Sequence, residues 1–288
     1  MILTIGSGEL TAEISNTGAE LVRLKDVGGR DYLWNGDPAY WKGRAPLLFP
    51  IVGRAVGDQI HVEGRSYPMR QHGFARTSRF DVVEIRPTHC ILELSANSST
   101  LAQYPFLFRL EVSFRVVGRT ISLSARLFNN GQKDLPASFG FHPALRWPLP
   151  DAVERSNHVL RFDQDEPAPI RVLANGLLSD QTRPSPVHDR RLELSDELFE
   201  HDALIFDQLR SRSVEYIGPT RQKLRVDFPD MPHLGIWTKP GAGFVCIEPW
   251  QGYASPVGSD GQFAKKPGIV HVRPQTNHLF EMSIEVGA

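Results

Sequence analysis

Apolar residues at every second position recur along most of this chain, and that period describes a strand, not a helix. The strongest instance sets Leu110, Val112, Phe114 and Val116 against Ile121, Leu123, Ala125 and Leu127. Val117-Gly118-Arg119-Thr120 separates the two runs, so they close into an antiparallel hairpin with one face buried. A second hairpin joins 59–62 to 66–69 across Glu63-Gly64-Arg65, with glycine supplying the turn. Further strands are expected at 79–84, 90–94, 159–162, 203–206, 213–216, 223–227, 234–237, 244–247 and 278–286. Helical periodicity is nearly absent; the one short piece lies around Asp196-Glu197-Leu198-Phe199, where Ser195 is placed to cap. With 24 Gly and 22 Pro scattered between the runs, long helices have no room. The fold class expected is all-β, a large antiparallel β-sandwich.

Two stretches, 147–155 and 164–189, mix Pro with polar and turn-forming residues and read as long functional loops. No composition shift divides the chain, and no repeat is visible. Residues 1–288 are therefore expected to form a single domain, since all-β units commonly reach ~200–250 residues.

A formal charge of −1, with the 32 Lys and Arg spread evenly, argues against nucleic acid and against attraction to a membrane surface. The N-terminus lacks a signal-peptide pattern, and no apolar run is long enough to span a bilayer. Cys90 and Cys246 lie in apolar strand-like stretches and read as buried reduced thiols, so cytoplasm is the expected location.

Three motifs carry protonatable residues: His72-Gly73-Phe74-Ala75-Arg76, Phe141-His142-Pro143 and Ile247-Glu248-Pro249-Trp250. A lone histidine in a turn is ordinarily a surface or capping residue, but His72 has unusual company. Gly73 permits close backbone approach, Phe74 offers a face for a sugar ring, and Arg76 is a fixed multiple donor. His142 is restricted by Pro143 and flanked by aromatics, which equally describes a satisfied core histidine. Glu248 closes an apolar strand and is backed by Trp250, an environment that raises a carboxyl pKa toward that of a working base. Arg54, after Gly53, could project into a cleft; Asp202 and Asp207 flank one strand and offer acceptors, although strand-end aspartates usually form turns. His72, His142 and Glu248 could in principle hold a metal. Such sites usually draw two ligands from one short segment, so no metal is expected. Phosphate loops and dinucleotide fingerprints are absent.

Taken in order, these segments resemble the aldose 1-epimerase (galactose mutarotase) family, in the branch bearing His-Gly-Phe-Ala-Arg. The resemblance runs through Gly18-Ala19-Glu20-Leu21, Asp31-Tyr32-Leu33-Trp34, Phe49-Pro50-Ile51-Val52-Gly53-Arg54 and the His72 motif. It continues through Gly140-Phe141-His142-Pro143-Ala144, His201-Asp202-Ala203-Leu204-Ile205-Phe206 and Cys246-Ile247-Glu248-Pro249-Trp250. It implies the mutarotase β-sandwich, with Glu248 as catalytic carboxylate and His142 as catalytic imidazole. It also implies sugar contacts from His72, Arg54 and Asp202. The expected reaction is interconversion of the α and β anomers of a hexose by ring opening and closure, without cofactor, in a monomer or homodimer. The Arg54–His72 spacing is shorter than in the well-studied galactose enzymes. The His72 motif is shared with the hexose-6-phosphate branch, in which Arg76 and Arg44 would hold a phosphate. A non-catalytic sugar binder and a glycosidase using Glu248 with Asp202 are the competing expectations.

Overall fold

The computed structural model describes residues 1–220 and 222–287. Two large antiparallel sheets dominate it, one of nine strands and one of eight, with a three-stranded sheet at the N-terminus. The Phe108–Val117 and Thr120–Asn129 hairpin sits in the larger sheet in the register its alternation requires, Leu123 opposite Phe114 and Leu127 opposite Leu110. Its inward residues are buried and its outward ones are polar apart from Val117 and Phe128, the latter covered by the Arg109 guanidinium, as a half-solvated antiparallel sheet demands.

The two large sheets meet through aromatic pairs. Phe139 from the smaller sheet stacks on Phe280 from the larger at 4.8 Å, and Phe206 packs on Phe162 at 5.6 Å. One continuous apolar cluster joins the inner faces, from Leu3 to Val286. Only one short α-helix occurs among the described residues, Ser98–Leu101, and no helix is long and apolar enough to cross a membrane. The turn at Asp196–Phe199 is 3₁₀, and Ser195 makes no side-chain cap bond.

Two expectations need correction. The 164–189 stretch is not a loop: strands Ile170–Ala174 and Leu177–Arg183 occupy it, joined by Asn175-Gly176 with both φ values positive. Asn-Gly is the two-residue hairpin signal; the polar side chains flanking it masked the alternation. The strand carrying Glu248 does not stop there but runs Phe244–Gln251. Proline lacks a ladder donor and argues against a central strand. Here the ladder is already broken opposite it. On one side the strand pairs with Ala144–Arg146 at one end and with Phe139–Gly140 at the other. The gap between them is Phe141-His142-Pro143, facing Ile247-Glu248-Pro249, and the Ile247 amide still donates to the Pro143 carbonyl across it at 3.3 Å; on the other flank Pro249 stays in register opposite Leu234.

Candidate functional site

The outer face of the eight-stranded sheet holds the site, and strand alternation decides which residues reach it. Along Phe244–Gln251, Val245 and Ile247 point into the sandwich core, while Cys246, Glu248 and Trp250 point the other way. All are buried, because further chain covers this second face as well. Phe139 and Phe141 likewise face the core, which turns Gly140 and His142 toward Glu248. His233–Trp237 pairs on the other flank, with Gly235 opposite Glu248 and Trp237 opposite Cys246. Gly140 and Gly235 are the platform on which the Trp250 indole lies. A Cβ at either would stand 2.6 or 2.3 Å from that ring.

His72 arrives on a separate turn. Its φ is +66° and that of Gly73 is +71°, and a Cβ on Gly73 would come within 2.1 Å of the Phe49 carbonyl oxygen. The turn is zipped to the Phe49–Gly53 segment: the Phe74 amide donates to the Phe49 carbonyl at 3.0 Å and the His72 amide to that of Gly53 at 2.8 Å. The Gly53 amide also donates to His72 Nδ1 at 3.2 Å, which leaves the His72 proton on Nε2 while the ring is neutral.

A cavity of about 530 Å³ opens over these groups, and His72, His142, Glu248, Asp202, Arg76 and Trp250 all line it. That volume suits a small-molecule ligand. His142 Nε2 lies 3.1 Å from Glu248 Oε2, and the two histidine rings are 5.9 Å apart. Trp41 stacks on His142 at 4.9 Å and Trp237 meets its edge at 5.9 Å, fixing the imidazole plane.

Electrostatically the pocket floor resists charge. Burial drives the Glu248 carboxyl well above the usual carboxylate range, Asp202 adds to the push, and the Trp250 indole opposes it. Burial lowers His142, and nearby Arg76 lowers it further. His72 is pushed down by burial, then by His142, Arg76 and Lys266. Lys266 is itself buried, donates to the Tyr253 carbonyl, and is pulled down to about 7 by desolvation. Glu248 and His142 thus tend to hold one proton between them and no net charge. The 3.1 Å contact is not aligned as a hydrogen bond, and Glu248 Oε2 and His142 Nδ1 are buried without a partner among the described residues.

Two expected residues lie off the cavity wall. Arg54 follows Gly53 at a sharp bend, where φ is +72°, and its guanidinium is captured by Asp58, both nitrogen–oxygen distances being 2.7 Å. Phe74 packs inward against Phe49, Phe108 and Tyr104, with ring centroids 5.8 to 6.3 Å away. Asp207 also turns aside, toward Arg171 at 3.4 Å, and Arg44 is spent on the carbonyls of Asn35 and Val22. Asp202, at φ +76°, stays on the wall, with one oxygen accepting from the Ala203 amide at 2.7 Å.

The sequence reading missed Trp41, Trp237, Gln71 and Lys239, which also line the cavity. Trp237 was findable, since alternation along its strand puts it on the Gly235 face. Trp41 sits in an irregular loop and reached the site only through tertiary folding.

A family model described as aldose 1-epimerase matches residues 1–283. Protein LacX (chromosomal) of Lactococcus lactis subsp. lactis is 32% identical over 285 residues, covering 95% of each chain. A galactose mutarotase related enzyme from Lactobacillus acidophilus superposes with a TM-score of 0.93 at 28% identity, covering 100% of this chain and 98% of the other. A galactose mutarotase-like protein from Lactobacillus casei ATCC 334 gives 0.92 at 26% identity, covering 99% and 100%.

Proposed function

Because the chain belongs to the aldose 1-epimerase family, we propose that it interconverts the α and β anomers of a hexose, with Glu248 and His142 as the proton-transfer pair. The observation that carries this reading is the 3.1 Å approach of His142 Nε2 to Glu248 Oε2 on the floor of a sugar-sized cavity. With the shared proton on His142, the Glu248 carboxylate removes the proton of the anomeric hydroxyl as the imidazolium gives its own to the ring oxygen. The C1–O5 bond breaks and an open-chain aldehyde forms. Rotation about C1–C2 presents the other carbonyl face, and reversed transfers close the ring as the opposite anomer. Proton count is unchanged over the cycle, so no cofactor enters. His72 supplies a neutral Nε2–H donor to a sugar oxygen, Asp202 an acceptor, and the tryptophans apolar faces for C–H groups. The two buried free thiols suit the reducing cytoplasm to which we assign the protein.

Polarimetry of freshly dissolved α-glucose and α-galactose tests the reading: purified protein accelerates the decay, and Glu248→Gln does not. An unaltered decay across free and phosphorylated hexoses would remove it. One observation favours a phosphorylated substrate as second reading. Arg76 lines the cavity, its side chain donates only to the Gln71 carbonyl at 2.9 Å, and it has no carboxylate partner among the described residues. Lys239 shares that wall. An aldose 6-phosphate turning over with a much lower KM than the free sugar, and Arg76→Ala abolishing that preference, would establish it.

A further inference from the structure

Cys246 takes no part in the proton transfers, yet it faces the same way as Glu248, two residues along one strand. Its Sγ, an imidazole nitrogen of His142 and a carboxylate oxygen of Glu248 all lie within 4.8 Å of one another. The 3.1 Å from His142 Nε2 to Glu248 Oε2 is close to the spacing of two ligands on one tetrahedral zinc, about 3.3 Å for bonds of about 2.0–2.2 Å. Glu248 Oε2 is buried and unpartnered, so an acceptor already stripped of water faces this point. Trp34, Phe244 and Ala144 surround the thiol with apolar atoms. One short segment contributes two of the three donors, the pattern metal sites ordinarily show.

We propose that the cavity floor is an inhibitory site for a thiophilic divalent cation such as Zn²⁺, held by Cys246, His142 and Glu248 with its fourth position open to the cavity. Sulfur and imidazole donors select zinc, cadmium and cobalt, whereas magnesium and calcium require oxygen cages. The metal replaces the Cys246 proton and the proton held between Glu248 and His142, both of which leave to solvent, so binding strengthens as pH rises. Occupancy removes both proton-transfer groups and obstructs the sugar. The inhibition rests on the reading of Glu248 and His142 given above; the binding does not.

The test is titration of metal-stripped wild-type protein with Co²⁺. A near-ultraviolet sulfur-to-cobalt charge-transfer band is expected, displaced by Zn²⁺ and missing from Cys246→Ala. By calorimetry, Cys246→Ala should bind Zn²⁺ at least about tenfold more weakly, since even outer partners of a metal site are worth that much. Zn²⁺ should slow mutarotation competitively with sugar, and a chelator should restore it. Wild-type protein that shows no charge-transfer band, or Cys246→Ala that binds Zn²⁺ as tightly as wild type, overturns the proposal. The wild-type spectrum decides alone should the variant not fold. A charge-transfer band with mutarotation undiminished would preserve the metal site and instead refute the proton-transfer roles.

Discussion

The strand Phe244–Gln251 has two faces of equal burial and opposite purpose. Val245 and Ile247 meet the sandwich core, where apolar contact is all that is asked. Cys246, Glu248 and Trp250 point the other way, where Glu248 and Trp250 line the cavity of the proposed chemistry and Cys246 is buried beside Glu248. A methyl group on the first face lowers the free energy of folding. A carboxyl on the second raises it, because desolvation disfavours the charge and Oε2 has no compensating bond. Burial alone therefore does not distinguish a core residue from a site residue. What distinguishes them is whether the buried polar atom is satisfied.

The sharpest way to break that comparison is to substitute one residue on each face. Glu248→Gln should lower mutarotation by about 10²- to 10⁴-fold, the usual worth of a general acid–base group, with thermal stability equal to or above wild type. Ile247→Ala should do the reverse, costing about 2–5 kcal/mol in denaturant unfolding while folded molecules keep their activity. Similar stability losses from both would erase the distinction between the faces.

Lys266 sharpens it with an independent buried group. Its pKa falls from 10.5 in the unfolded chain to about 7 in the fold. Between those values the unfolded state binds one more proton than the native state, so stability rises with pH across that window. Lys266→Met should stabilise the protein by on the order of a few kcal/mol at pH 7 and below, shrinking toward nothing near pH 10.5. Chemical unfolding at several pH values measures this, and a pH-independent difference would refute it.

The pH–rate profile is a milder test of the proton-sharing pair. The proposed mechanism requires one proton between the two groups. A lowered imidazole sets the acid limit and a raised carboxyl the alkaline limit, so kcat/KM should form a plateau broader than two ordinary groups would give. The smallest effect concerns the two arginines. Arg54→Ala should leave KM nearly unchanged, because that side chain is committed to Asp58. Arg76→Ala should raise KM for whatever sugar the cavity takes.

Much of this was legible beforehand. Period-two alternation gave the sandwich and nearly every strand of the larger sheet, since a buried face imposes its pattern directly on consecutive residues. The three motifs announced His72, His142 and Glu248 because glycine, proline and aromatic neighbours mark backbone that must be held in place. Arg54 and Phe74 looked equally promising, and nothing local separated them from Arg76. Their orientation depends on a bend at Gly53, a carboxylate at Asp58 and an aromatic nest from Phe49, Tyr104 and Phe108. These are pairings across the fold.

By itself, then, the sequence determined the fold class, the family and the identity of the protonatable residues, all of which are written in short-range pattern. The tertiary structure alone decided that His142 and Glu248 meet across the ladder gap, each followed by a proline, that Trp41 stacks on His142, and that Cys246 stands near both. Such distances arise from how strands pair, and pairing is set by contacts between residues a hundred or more positions apart.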